Sequence, residues 1–293
     1  MRRNGGEEGQ EGPKGPKAGF VWHGSGSFTL QLCGQNILVD PFFSRAEEYG
    51  PWHIPNRAAP AWDDFLSKTP PDVVLITHGH FDHFDLHTVR RLARATDAVF
   101  VANPEVTAVI AREFGVSSER LAPVDVGARV TLDGVLVSTR AGVHWLTGEE
   151  GSAAARKLAG RPERYGVMPA GGPMLSFIVT PVDGGHPKVY ISGDTEPAGV
   201  PDERVDVAIL NVGELLPHPA TKQPTKSVLF LDDLGDVLRR LGPELAILVH
   251  WDYGGYVRAI SRREAEEKAA SWLMETGVRI VVPEPGRPLA IAG

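Results

Sequence analysis

The segment Thr77-His78-Gly79-His80-Phe81-Asp82-His83-Phe84-Asp85 limits the fold of this chain more than any other. Three imidazoles and a carboxylate are packed between His78 and His83, directly after Val73-Val74-Leu75-Ile76. That apolar run reads as a short strand buried on both faces. Unpaired imidazoles beside a buried strand end are costly unless something satisfies them. In extended backbone His78 and His80 project to one side and can grip one ion. Asp82 and His83, one step on as the chain enters a helix, can reach a second. Neutral imidazole and carboxylate suit a borderline divalent metal, zinc first, with manganese or iron as alternatives. One such cluster does not fill two coordination spheres, so the fold must bring further ligands to the end of this strand.

Three candidates stand where a strand-like run meets a loop. His144 closes the stretch from Val135 to Val143, Asp194 follows Val189-Tyr190-Ile191, and His250 ends Ala246-Ile247-Leu248-Val249. Such junctions are where α/β proteins place their working residues. With the cluster, these residues amount to the donors that a site for two divalent ions needs.

Strand and helix signals recur along the chain. Phe28-Thr29-Leu30-Gln31-Leu32 alternates like a half-buried strand, and Gly34-Gln35-Asn36 reads as the turn into Ile37-Leu38-Val39, a β-hairpin. Residues 41–71 form a long connection without periodicity, the kind more often functional than not. Helices are expected from Asp85 to Ala95 and from Pro104 to Phe114, with Pro104 at a first helical position and Gly115 as the stop. Strand-like runs follow at 135–139, 175–180, 188–192, 207–211, 245–249 and 278–282. Long helices are expected near 226–240 and 262–276, the latter opening on the capping-box pattern Ser261 to Glu264. Strands come in runs with helices interspersed in both halves, about 19–150 and 151–293. The pattern predicts an α/β protein with two sheets face to face and helices outside, a four-layer sandwich. Residues 1–18, rich in Gly, Glu, Lys and Pro, read as a disordered leader and 19–293 as a single domain.

Composition removes other classes. At 42% apolar and 23% charged residues the chain is neither fibrous nor wholly disordered. Thirty Lys and Arg against 37 Asp and Glu give a net charge of −7, and no basic run interrupts that balance, so nucleic acid is not an expected partner. Cys33 is the single cysteine, which rules out an intrachain disulfide and Cys-based zinc sites. The first residues show no secretory signal, and no stretch of about 18 apolar residues marks an integral membrane segment. A cytoplasmic location is the expectation. Nothing in the sequence specifies an oligomeric state.

The set His78, His80, Asp82, His83, His144, Asp194 and His250 resembles the ligand set of the metallo-β-lactamase-fold hydrolases. The resemblance covers nearly all of 19–293. Within that superfamily, Trp22 to Ser27, Ile37 to Ser44 and Gly193-Asp194-Thr195 resemble the branch of the ascorbate-phosphate lactonases and the N-acylphosphatidylethanolamine phospholipase D enzymes. The resemblance implies an αββα sandwich and two divalent metal ions. It implies that His78, His80 and His144 hold the first ion and Asp82, His83 and His250 the second, with Asp194 bridging. Asp82 and Asp194 are thereby counted as catalytic too. A hydroxide between the ions would attack a small-molecule phosphodiester, lactone or related ester. Asp40, Thr77 and Asp85 are the implied orienting groups behind the imidazoles. The alternative on the same fold is an iron-dependent oxidoreductase resembling the sulfur dioxygenases. Two places depart from the branch pattern: Ser25 stands where a His is common, with His23 two residues earlier, and Thr221-Lys222-Gln223-Pro224 replaces a His-Met pair. Segments 44–62, 145–172 and 213–224 are expected to shape the substrate pocket, with His53, His218, Lys222 and Arg45 as candidate contacts.

Overall fold

The computed structural model describes residues 18–49, 54–144, 173–217 and 222–291. Residues 1–17 of the expected leader, segment 145–172, His53 and His218 lie outside the described residues, whereas Ala18, the last residue assigned to the leader, is the buried first residue of β1. Strands are β1 (Ala18–Trp22), β2 (Phe28–Leu32), β3 (Gln35–Val39), β4 (Val73–Leu75), β5 (Val99–Ala102), β6 (Leu121–Pro123), β7 (Arg129–Leu132) and β8 (Val135–Ala141). They continue as β9 (Leu175–Pro181), β10 (Val189–Ile191), β11 (Val207–Asn211), β12 (Leu216–Pro217), β13 (Pro224–Thr225), β14 (Leu245–Val249), β15 (Arg279–Val281) and β16 (Pro288–Ala290). Helices are α1 (Ala46–Tyr49), α2 (Trp62–Lys68), α3 (Leu86–Ala95), α4 (Pro104–Phe114), α5 (Leu234–Leu241) and α6 (Arg262–Thr276).

Two seven-stranded sheets form, in the orders β16-β1-β2-β3-β4-β5-β6 and β15-β14-β11-β10-β9-β8-β7. Each is antiparallel at its hairpin end and parallel where helices cross over: β3 to β6 in the first, β10 to β11 to β14 to β15 in the second. The apolar runs of the parallel strands have two buried faces. Ile37 and Val39 join Phe20, Phe28, Val137, Phe177, Ile209 and Ile247 in the layer between the sheets. Leu38, Val74 and Phe100 turn outward onto Val89, Leu92, Val106 and Ile110 of α3 and α4. On the far side Tyr190, Ala208 and Leu248 meet Val237 and Leu241 of α5 and Ala265 of α6. This is the expected four-layer αββα sandwich. Each large apolar side chain so buried contributes about 1.5–3 kcal/mol.

Local chemistry sets the boundaries. Leu32 pairs with Gln35, so the β2–β3 turn is Cys33-Gly34, earlier than expected, with φ of 53° and 78° that match a type I′ hairpin. Asn103 caps α4 and Ser261 caps α6 through side-chain oxygens that accept from Val106 N and Glu264 N. The connection 41–71 is less irregular than expected, because it contains α1 and α2, the latter anchored by buried Phe65. The helix expected at 226–240 begins only at Leu234, after a 3₁₀ turn. Residues 226–229 stay outside it because Leu229 bridges Val212 and the Ser227 carbonyl is engaged elsewhere. The two sheets do not coincide with the two halves of the chain, because β7 and β8 belong to the second sheet and β16 returns to the first. The chain leaves the first sheet after Pro123 and enters the second at Arg129, since Val135 and Val137 are needed in the inter-sheet core. No helix among the described residues is long and apolar enough to cross a membrane.

Candidate metal centre

All seven expected ligands meet at one rim of the sandwich. His78, His80, Asp82 and His83 follow β4, His144 follows β8, Asp194 follows β10 and His250 follows β14. The carboxyl ends of β4, β10 and β14, parallel strands with helices packed outside, put these residues where open α/β sheets concentrate ligands. They form two donor groups. His78, His80 and His144 are one; Asp82, His83, Asp194 and His250 are the other, and in each group one atom per residue lies within 4.8 Å of the others.

In the first group, His80 Nδ1 lies 2.8 Å from His78 Nε2 and 3.1 Å from His144 Nε2. Proton positions follow from the partners behind the rings. The Thr77 hydroxyl donates to Asp40 Oδ2 (2.8 Å) and must accept from His78 Nδ1 (3.0 Å). His144 Nδ1 donates to the Ser227 carbonyl at 2.7 Å. Both Nε2 atoms therefore turn lone pairs toward His80. Burial pushes the pKa of all three histidines down, to about 3 for His80, so they are neutral donors at physiological pH. Converging imidazole lone pairs fit a cation better than one another.

The second group is richer in charge. His83 Nδ1 donates to Asp40 Oδ2 at 2.7 Å, and its Nε2 faces Asp194 Oδ2 at 3.1 Å and Asp82 Oδ2 at 3.7 Å. Burial alone would lower the His83 pKa, yet the carboxylates of Asp194, Asp82 and Asp40 hold it well above the ordinary value. Burial would likewise raise Asp82 and Asp194, but the neighbouring His83 and His250 hold both below the usual carboxylate range. His250 Nε2 is buried without a hydrogen-bond partner, 3.5 Å from Asp82 and 3.7 Å from Asp194. An orphaned ring nitrogen between two carboxylates is the donor pattern of a divalent cation site.

The backbone supports this geometry under strain. Asp40, Ser25 and His250 have φ of 45°, 49° and 69°, left-handed conformations that cost about 1–3 kcal/mol each for such residues. Hydrogen bonds from Asp40 N to the Leu75 carbonyl and from His250 N to the Ser25 carbonyl, both 2.9 Å, hold two of them. The Gly24–Ser27 turn passes so close that a Cβ on Gly26 would sit 3.1 Å from His83 Cε1 and 3.2 Å from His250 Cδ2.

Of the expected orienting groups, Asp40 and Thr77 act as such, whereas the hydrogen bonds of Asp85 to described residues go to the chain around it and to the loop after β3 rather than to the imidazoles of the two donor groups. Its side chain caps α3 and accepts from Phe43 N, Ser44 N and the hydroxyls of Ser44 and Thr88, pinning the loop after β3. His23 is not a ligand. It is buried between Phe43 and Phe65, shares a 2.7 Å hydrogen bond with Thr29 Oγ1, and burial pushes its pKa down to about 3. The sequence reading missed Asn211, which donates to Asp194 Oδ1 at 2.8 Å, and Tyr256, whose hydroxyl pairs with His250 Nδ1. Asn211 carries the signal used for the ligands, a polar residue ending an apolar run. The Ser227 carbonyl has no side-chain signal. Arg45 is exposed on the loop before α1 and Lys222 is exposed before β13.

Comparison with known proteins bears on this arrangement. A family model described as a beta-lactamase superfamily domain matches residues 35–251. A UPF0173 metal-dependent hydrolase of Thermoplasma acidophilum is 24% identical over 277 residues, 92% of this chain and 97% of its own. One from Methanopyrus kandleri is 26% identical, covering 91% and 96% respectively. Among solved structures, an isothiocyanate hydrolase from Delia radicum gut bacteria has the same fold, with a TM-score of 0.66, 20% identity, and coverage of 94% of this chain and 100% of that one.

Proposed function

Since this chain belongs to the beta-lactamase superfamily domain family, we propose that it is a metal-dependent hydrolase with a binuclear centre, cleaving a small-molecule phosphodiester, lactone or related ester. The observation that carries the reading is the pairing of a neutral three-imidazole group with an adjoining group of two carboxylates and two imidazoles. His78, His80 and His144 would hold one ion. Asp82, His83 and His250 would hold the other, and Asp194 would span both. Zinc suits this donor set, with manganese and iron as alternatives. Bound divalent ions supply Lewis acidity, lowering the pKa of a water between them toward neutrality and stabilising charge on a substrate oxygen.

The residues divide the remaining work. Asp40 fixes the His83 ring and, through Thr77, the His78 ring. The Ser227 carbonyl fixes His144, and Asn211 orients the Asp194 carboxylate so that its other oxygen faces His83. Such support sets tautomer and direction before any substrate arrives. No Ser-His-Asp or Cys-His arrangement stands among the described site residues to supply a protein nucleophile.

The test is a hydrolysis screen on bis-p-nitrophenyl phosphate, lactones and thioesters with the purified chain. Hydrolysis abolished by a chelator and restored by zinc or manganese is the expected result. Oxygen consumption with a thiol substrate, and no hydrolysis across the panel, would decide for the iron-dependent oxidoreductase.

A further inference from the structure

Two tyrosines on the turn after β14 flank His250 and do different things there. The chain reverses at His250, where Tyr253 N donates to the His250 carbonyl at 3.1 Å. The Tyr253 and Tyr256 rings then lie 5.2 and 5.8 Å from the imidazole and meet edge to face at 5.5 Å. Tyr256 commits its hydroxyl to His250 Nδ1, in a space kept open by Gly213, where a Cβ would overlap it. Tyr253 is only 9% exposed, and its hydroxyl, which is not among the fully buried polar atoms, makes no hydrogen bond to any described residue. The ring also closely approaches Gly255, where a Cβ would overlap it. A phenol is a hydrogen-bond donor at neutral pH, and this one stands beside the second donor group with its donor unspent.

We propose that Tyr253 donates a hydrogen bond to the substrate, holding the oxygen on which negative charge grows as the ester carbonyl or phosphoryl group is attacked. The proposal rests on the hydrolase reading and names the protein's own contribution to it. In the step, the oxygen of water bonds to the carbonyl carbon or phosphorus, the bond to the leaving oxygen breaks, and a proton from that water ends on the leaving group. Tyr253 keeps its proton throughout; it stabilises charge without entering the proton balance. A donor in this position acts more strongly on the transition state than on bound substrate, so its loss falls mainly on kcat.

The experiment uses the metal-loaded full chain, with phenylphosphonate as a tetrahedral oxyanion probe. Tyr253→Phe is expected to keep its metal content, lose about a hundredfold in kcat/KM with most of the loss in kcat, and bind phenylphosphonate about tenfold more weakly by calorimetry. Gly255→Ala moves the ring without deleting the hydroxyl and is expected to weaken the same two readouts. Tyr256→Phe, by contrast, should show its effect in metal affinity. If Tyr253→Phe turns over substrate and binds the phosphonate like the wild type, or if its deficit tracks lost metal, the assignment is overturned while the hydrolase reading stands. A metal-loaded wild type that neither hydrolyses the ester panel nor binds the phosphonate overturns both.

Discussion

Replacing Asp40 by Asn tests how much of the metal affinity resides behind the ligands. Asp40 is 1% exposed and its carboxylate accepts three hydrogen bonds: Thr77 N to Oδ1 at 2.7 Å, Thr77 Oγ1 to Oδ2 at 2.8 Å and His83 Nδ1 to Oδ2 at 2.7 Å. An amide presents one acceptor and one donor end. With its oxygen toward Thr77 N, its NH₂ faces two donors; reversed, it faces the Thr77 amide. The least costly relief is for His83 to move its proton to Nε2, which removes the lone pair aimed at the second ion. Loss of such a supporting group lowers metal affinity about 10–100-fold, or about 1.4–2.8 kcal/mol. The metal-free protein should lose about 1.5–3 kcal/mol of stability from the charge-assisted hydrogen bonds. Competition of zinc against a chromophoric chelator reads the affinity, and denaturant unfolding reads the stability. The ion of the group that contains His83 should suffer first, because His83 bonds Asp40 directly whereas His78 depends on it only through Thr77. Asp40→Asn binding both ions as tightly as the wild type would refute the reasoning.

The two donor groups should fail separately: His78→Ala and His144→Ala are expected to impair one ion, and His83→Ala and His250→Ala the other, as metal analysis of each variant will read. Asn211→Ala removes the 2.8 Å bond to Asp194 and should weaken metal binding about tenfold, measured by the same competition assay. His23 supplies a pH prediction away from the ligands. Its pKa is about 3 in the fold against an ordinary 6.5, because burial disfavours the charged ring. Below 6.5 the unfolded chain binds a proton that the folded chain refuses, so this stability is present above 6.5 and is lost as pH falls toward 3, at about 1.4 kcal/mol per unit. Unfolding free energies of His23→Phe between pH 6.5 and 4.5 should show a slope shallower by about one proton.

The two donor groups were legible because metal chemistry would demand particular side chains at strand ends. The cluster from His78 to His83 is local in sequence, and His144, Asp194 and His250 each interrupt an apolar run. α4 and α6 were legible for a similar reason, since Pro104, Gly115 and the Ser261–Glu264 pair mark their ends chemically. What stayed hidden depends on tertiary contact. Residues 226–229 have helical composition, but the bridge of Leu229 to Val212 and the bond from His144 to the Ser227 carbonyl keep them out of α5. Asp85 looked like a metal-site residue by proximity, while its bonds go to the Phe43–Ser44 loop. The edge strands β6, β7 and β16 were not anticipated, being short and only partly buried, so their patterns carry little apolar periodicity.

The most direct test of the binuclear hydrolase account is a zinc titration of the metal-free full chain and of Asp194→Ala, with elemental analysis and hydrolysis followed together. The account predicts two ions per wild-type chain, turnover that appears as the second is taken up, and at most one tightly held ion in Asp194→Ala. Full turnover with a single ion, or an Asp194→Ala protein that keeps two ions and full activity, would contradict it.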